Sequence, residues 1–315
     1  MSARVLIGDL GGTNLRLALT DGDGLRSECV FKTAELAGLE AALEAFLEPI
    51  PAPERPKSAI VAVAGPVSGD RIRLTNCPWQ FSRDAVRERF GWARFGLMND
   101  FAAVAAALPH FADDHLDAVQ TGIEVARRPK LVLGPGTGLG VGVAVPSGED
   151  WHVLDGEGGH ATLAASNGEE AELIALLRRR LGHVSAEDVL SGPGLVNIFA
   201  AIAERDGLDL DPATGEEVVE RLDKEGCPAA QEALDRFACF LGTVAGNAAL
   251  TAGARGGVYL AGGVLQNLGA RFRADLFRAA FNAKGRMSAY LETVPVYRIT
   301  HPEPGLFGLQ ALARG

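Results

Sequence analysis

Val5-Leu-Ile-Gly-Asp-Leu-Gly-Gly-Thr-Asn-Leu-Arg-Leu-Ala-Leu-Thr20 is the stretch on which the fold turns. An apolar run ends at Leu10, Gly11 and Gly12 follow, and Leu15, Leu17 and Leu19 then alternate with Arg16 and Ala18, which reads as two strands joined by a glycine turn. Two explanations of the glycines stand side by side. They can supply the positive φ of a tight hairpin. They can also let backbone N–H groups approach an anion, with the Thr13 hydroxyl adding a further hydrogen bond.

The same layout returns at Leu131-Val-Leu133, where Gly134-Pro-Gly-Thr-Gly-Leu-Gly140 leads into alternating Val141, Val143 and Val145. Two strand–turn–strand units, each with a threonine in the turn (Thr13, Thr137), suggest one domain type present twice. Two such turns facing one another could hold a polyphosphate, which one alone would not argue.

Around these hairpins, strand and helix alternate. A Leu39, Leu43, Phe46, Leu47 stripe predicts a helix over 38–48, Ala59–Ala64 a buried strand, Ser82 a cap for a helix to Phe90, and Phe95–Met98 a strand. Such alternation calls for an α/β sheet with parallel strands. A second unit is expected from about Pro109. It should carry helices over Glu169–Leu181 (Ser166 as N-cap, Glu169 as its partner), Gly194–Arg205, Ala229 to about Leu250 and Ala270–Asn282. Strands are expected at Val258–Ala261 and Val294–Ile299, and a last helix from Leu306. Pro49–Pro56 reads as a rigid surface loop.

The 315 residues are 47% apolar and 22% charged, enough to bury a sizeable core, and the net charge of −10 makes nucleic acid and anionic membranes poor partners. The uncharged runs Leu131–Gly148 and Phe237–Ala254 are broken by glycine, proline, asparagine and threonine and predict buried elements, not membrane spans. Cys29, Cys77, Cys227 and Cys239 form no C-x-C or C-x-x-C pair, so core thiols are expected. With no targeting signal read before Val5, the expected location is the cytoplasm. A Gly-Lys dipeptide, a G-x-S-x-G elbow and an H-E-x-x-H helix are all missing, and Asp100-Phe101 is followed by Ala102. P-loop, serine-hydrolase, zincin and protein-kinase readings therefore fall away, and G-x-G-x-G-x-G at 134–140 disfavours a dinucleotide fold.

Asn99-Asp100 stands where strand gives way to helix, so Asp100 can accept a proton from a hydroxyl or serve as the helix N-cap. Asp155-Gly-Glu-Gly-Gly-His160 surrounds Glu157 and His160 with glycine, a composition better explained by a ligand than by packing. Glu187 by spacing alone is a solvated residue in the first turn of a short helix. Cys77 and Trp79 are expected to pack.

Taken in order, Gly8-Asp-Leu-Gly-Gly-Thr-Asn14, Ala64-Gly-Pro66, Leu74-Thr-Asn-Cys-Pro-Trp79, Asn99-Asp-Phe101, Gly134–Gly140, Glu157-Gly-Gly-His160, Leu190-Ser-Gly-Pro-Gly-Leu-Val-Asn197 and Gly262-Gly263 resemble the bacterial glucokinase family. These are ATP-dependent hexokinases of the actin-like ATPase superfamily, outside its repressor-related branch. The resemblance implies a two-domain actin-like (ribonuclease H-like) α/β fold, duplicated domains with a cleft between them: 1–109 plus 301–315, and 110–300, hinged near 108–112 and near 300. It implies glucokinase activity, with Asp100 as general base on the glucose 6-hydroxyl and Asn99, Glu157, His160 and Glu187 holding the other hydroxyls. Gly8, Asp9, Leu10, Gly11, Gly12, Thr13 and Asn14 with Gly136, Thr137 and Gly138 would be the phosphate loops, Gly262 and Gly263 would lie at the adenosine, and Asp9 would meet Mg²⁺ through water. The implied cofactors are ATP and Mg²⁺, and the implied assembly a homodimer. A kinase of another hexose or amino sugar, a sugar-responsive regulator, and a protein-binding ATPase are the alternatives. The last two lack respectively an N-terminal DNA-binding helix-turn-helix and a reason for the Glu157–His160 pair.

Overall fold

The computed structural model describes residues 4–314 apart from 22–23, 66, 75–76 and 211–213. Pro66, Thr75 and Asn76 of the motifs quoted above lie outside the described residues. The chain divides into two compact units. The first runs to Phe111 and takes in Trp151–Asp155 and the chain from His301; the second holds Ala112–Asp150 and Gly156–Thr300.

In the first unit the elements are β1 (Val5–Leu10), β2 (Asn14–Thr20), β3 (Leu25–Lys32), α1 (Leu39–Leu47), β4 (Ser58–Val63), β5 (Arg71–Arg73), β6 (Gln80–Ser82), α2 (Arg83–Arg89), β7 (Arg94–Asn99) and α3 (Asp100–Ala107). The sheet order is β3-β2-β1-β4-β7, with β1, β4 and β7 parallel and β2 antiparallel to β1. Period-two alternation gives the sheet two apolar faces. Leu6, Leu10, Leu15 and Leu17 pack with Leu39, Leu43 and Phe46 of α1, and the same core takes in Cys77 and Trp79. On the other face Ile7, Ala18 and Ala62 meet Ala103 and the C-terminal residues Leu306 and Leu309. Ser82 caps α2, accepting from Ala85 N at 3.0 Å.

The elements after α3 are β8 (Leu116–Gln120), β9 (Lys130–Pro135), β10 (Leu139–Ser147), β11 (Asp150–Asp155), α4 (Gly168–Leu181), α5 (Gly192–Asp206), α6 (Gly215–Glu225), α7 (Pro228–Ala252), β12 (Val258–Leu260), α8 (Gly263–Leu268), α9 (Ala274–Asn282), α10 (Ser288–Glu292) and β13 (Val296–Ile299). The chain then returns to the first unit as α11 (Pro304–Leu312). In the second unit the strands follow the order β10-β9-β12-β13-β8, and β9 is antiparallel to β10 but parallel to β12. The arrangement β10-β9-β12 repeats β2-β1-β4. Phe199, Phe237, Phe240, Phe277 and Phe281, from α5, α7 and α9, are fully buried in its core.

Several local expectations shift. The cap of α4 is Asn167, which accepts from Glu170 N at 2.9 Å. Glu170 replaces Glu169 as the returning carboxylate, taking Ser166 N and Oγ at 2.6 and 2.7 Å, so the expected pair is moved by one residue at each position. The helix expected from Ala270 begins at Ala274. A separate α8 precedes it, because Gly269 adopts φ +52° and interrupts the run. The last internal strand starts at Val296, after Pro295, which has no N–H to give to a ladder. Strands β3, β5, β6, β8 and β11 and helices α6 and α10 were not expected from the sequence.

Candidate active site

In the first unit, register aligns Leu10, Val63 and Asn99 in one row across β1, β4 and β7. The segments that follow them, Gly11–Asn14, Ala64–Gly65 and Asp100, therefore leave the sheet at the same carboxyl edge, where open parallel sheets bind ligands. Asn99, not Asp100, is the N-cap of α3. Its Oδ1 accepts from Phe101 N (2.8 Å) and Ala102 N (3.3 Å), while its Nδ2 donates to Gly65 O (3.3 Å). The correction has a simple cause: β7 runs one residue further than expected, and Asp100 becomes the first helical residue. Thr33 pins the glycine turn, giving its N–H to Thr13 O (3.0 Å) and its hydroxyl to Gly12 O (2.7 Å).

Asp9 lies inside β1, paired directly across from Arg16. Burial, reinforced by the Asp100 carboxylate, pushes its carboxyl from 3.8 up to about 6; Arg16 opposes the rise and Glu303 adds to it. Arg16 is ion-paired to Glu303 at 2.9 Å, and a Cβ placed on Gly305 at the start of α11 would stand 3.5 Å from the Asp9 carboxylate. Asn14 Oδ1 is buried without a hydrogen-bond partner among the described residues.

In the second unit the corresponding turn is Gly136-Thr137-Gly138, closed by Gly136 N donating to Gly138 O at 2.8 Å. Gly11, Gly136 and Gly138 do not take a positive φ, so the hairpin explanation of these glycines fails. A Cβ on Gly11 would meet Asn14 O at 3.5 Å, and one on Gly136 would meet Gly138 O at 4.0 Å, so protein packing does not demand glycine at either position. Neither a positive φ nor packing thus accounts for glycine at these two positions. Gly138 differs: a Cβ there would collide with the Glu187 carboxylate.

Glu187 is not in a helix but in a tight turn, and it is not merely solvated. Its Oε2 accepts from Leu139 N at 2.7 Å, its own N–H donates to Gly159 O at 2.9 Å, and Oε1 stands 3.9 Å from His160 Nδ1. His160 Nε2 is in turn 3.9 Å from Glu157 Oε2. Three residues from two distant segments thus form one polar group anchored beside the Gly136–Gly138 turn. Glu157 and His160 are well exposed, with donors and acceptors open to a partner.

Beside this turn is a cavity of about 790 Å³, lined by Gly136 and Thr137 and by the first turns of α5, α6 and α8. The helix starts follow from local chemistry. Ser191 Oγ accepts from Gly194 N (2.9 Å), and Thr214 forms a reciprocal cap with Glu217. Gly262 enters α8 at φ +95°, and a Cβ there would strike the Pro135 carbonyl at the end of β9, so only glycine brings α8 this close. Gly263 faces open space. Helix N-termini and their backbone N–H groups, the kind of group that favours an anion, thus border one cavity. Asn197, Thr214, Glu216 and Asn267 also line it; Asn197 closes the 190–197 motif but was given no role, while Thr214, Glu216 and Asn267 were missed in the sequence, where the local signal was the T-x-x-E cap at 214–217.

Two related α/β units, each presenting a glycine–threonine turn at the carboxyl edge of its sheet, define the class as an actin-like phosphotransferase fold. A family model described as Glucokinase matches residues 6–315. A glucokinase of Paramagnetospirillum magneticum is 43% identical over 314 residues, covering 99% of this chain and 98% of its own. The crystal structure of a glucokinase from an Antarctic psychrotroph superposes with a TM-score of 0.91 at 32% identity, covering 99% of both chains. That of a Balamuthia mandrillaris glucokinase in complex with glucose shares the fold, with a TM-score of 0.79 at 22% identity over 99% of this chain and 94% of its own. The chain belongs to the glucokinase family.

Proposed function

We propose that the protein transfers the γ-phosphate of ATP to the 6-hydroxyl of glucose, giving glucose 6-phosphate and ADP, the entry step of glucose catabolism. The observation that carries this reading is the Glu157–His160–Glu187 group tied through Leu139 N to the Gly136–Gly138 turn. A sugar hydroxyl both donates and accepts. Two carboxylates that accept and an imidazole that can donate are suited to hold several of them. Asn99, through its side chain, completes the polar set in this reading, and Asp100 takes the proton of the 6-hydroxyl late in the transfer.

Gly8 and Leu10 lie within β1, paired to both neighbouring strands, so in this reading the phosphate contacts of the first unit fall to the Gly11–Thr13 turn; that turn and Gly136–Gly138 hold phosphate with backbone N–H groups, Thr13 and Thr137 add hydroxyls, and Gly262-Gly263 receives the adenosine. Positioning of the nucleophile then supplies most of the rate. Asp9 would be the residue to hold Mg²⁺ that comes with the nucleotide, since its partly buried carboxyl is crowded by Asp100 and Glu303 and a cation would relieve it. The metal would supply charge neutralisation on the transferring phosphate, and Asp9 would hold it through water. All four cysteines are free, and among the described residues no helix is long and apolar enough to cross a membrane. A cytoplasmic homodimer is the form we propose, checked by light scattering of the purified protein.

The test is ADP release from Mg-ATP without sugar and with glucose, mannose, fructose, glucosamine and N-acetylglucosamine, with product masses measured. Glucose-dependent release yielding glucose 6-phosphate supports the proposal. Preference for another sugar makes the protein a kinase of that sugar, and release without sugar makes it an ATPase.

A further inference from the structure

Among the described residues, the walls of the second unit's cavity carry no Lys or Arg and one ionisable side chain, Glu216. A carboxylate only accepts hydrogen bonds, so it repels phosphate and needs hydroxyl or amino donors. Its place along the wall follows from a chain of contacts. Gly192 N donates to Gly136 O at 2.8 Å, and a Cβ on Gly215 would stand 3.2 Å from Gly192 O. The wall therefore runs from the phosphate-type turn, through the start of α5, to the start of α6, where Glu216 follows Gly215. The neighbouring acid Glu217 is already engaged: its carboxylate accepts from Thr214 N at 2.9 Å, and its N–H donates to Thr214 Oγ1 at 3.2 Å. That reciprocal cap sets the first turn of α6 and leaves Glu216 as the carboxylate lining the cavity.

In a nucleoside phosphate whose phosphates meet Thr137, the next hydrogen-bond donors along the molecule are the ribose hydroxyls. We propose that Glu216 reads the ribose, accepting from the 2′- and 3′-hydroxyls of the bound nucleotide. The proposal rests on the cavity being the nucleotide site and names a specificity residue within it. The consequence is discrimination against deoxynucleotides by one side chain, which can be removed without touching the phosphate turn.

The experiment is calorimetric binding of ADP, 2′-deoxy-ADP and 3′-deoxy-ADP to the wild-type protein, Glu216→Ala and Glu217→Gln, with phosphoryl transfer to glucose measured in parallel. The wild type should bind ADP about tenfold more tightly than at least one deoxy analogue, the loss expected for a hydrogen bond to a charged group. Glu216→Ala should bind ADP about tenfold more weakly and bring that ratio within twofold of one. Glu217→Gln, which weakens the cap of α6, should lower stability and keep the wild-type ratio. A Glu216→Ala ratio equal to wild type, or a Glu217→Gln ratio that collapses equally, overturns the ribose assignment and leaves the kinase reading standing. ADP binding with the expected ratios but no transfer to sugar overturns the kinase reading and keeps the ribose assignment. Absence of ADP binding overturns both.

Discussion

Replacing Glu187 separates two jobs that the structure gives to the two oxygens of one carboxylate. Oε2 accepts from Leu139 N at 2.7 Å, a short charge-assisted bond that holds the start of β10 beside the Gly136–Gly138 turn. The side chain is one-third exposed, so the bond belongs at the low end of the range for charged acceptors, about 1.5 kcal/mol. Glu187→Ala also leaves the N–H of Leu139, a residue only 6% exposed, without its acceptor, which raises the cost to about 1.5–3 kcal/mol. Glu187→Gln keeps an oxygen acceptor there and should lose less than about 1 kcal/mol. Oε1, at 3.9 Å from His160, is too far for a hydrogen bond and is available to a sugar hydroxyl. Both variants should therefore raise the glucose KM about tenfold, the effect of losing roughly 1.4 kcal/mol of binding. Urea unfolding and ADP-release kinetics on the same preparations read the two effects. A Gln variant as unstable as the Ala variant refutes the role of Oε2, and a Gln variant with the wild-type glucose KM refutes the role of Oε1. Gly138→Ala pushes a methyl group into the same carboxylate and should reproduce the Ala phenotype.

Asp100→Ala should lower kcat at least about 10²-fold while glucose still binds, because it removes proton acceptance and few hydroxyl contacts; a near-normal rate in a coupled assay would reduce Asp100 to a structural residue. Glu157→Gln and His160→Ala should each raise the glucose KM, and an unchanged KM in both removes them from the sugar site. Asp9 carries a pH signature. Its carboxyl stands at about 6 in the fold against 3.8 ordinarily, so its contribution to stability is complete below about pH 4 and is lost as pH rises through 6. Ionising it in the fold costs about 3 kcal/mol at neutral pH, so Asp9→Asn should stabilise the ligand-free protein by up to that amount at pH 7–8 and abolish phosphoryl transfer. Unfolding measured from pH 4 to 8 checks the difference between the two proteins, and an equal pH slope in both refutes the assignment.

The hairpins at 5–20 and 131–145 were legible because alternation of apolar residues and glycine turns are local properties. The cap at Ser82 was legible for the same reason, and so was the strand-to-helix junction at Asn99-Asp100, though which of the two residues capped the helix depended on where β7 ended. Local pattern could not reveal β3, whose Leu25 and Val30 face outward, or α8, which is too short to show a helical period. The motifs named the chemistry that Glu157 and His160 could perform. They could not bring Glu187 to Leu139, because that contact depends on a chain reversal that puts residues 48 positions apart against one turn. Nor could they raise Asp9 to about 6, since the cause is burial together with charges from α3 and the C-terminal segment. The sequence by itself thus determined the repeated α/β design and the residue types of the site. Tertiary structure alone decided which glycines leave room for a ligand, which carboxylates are held by backbone donors, and which acid faces the cavity, because each depends on groups that become neighbours only when the sheets and helices pack.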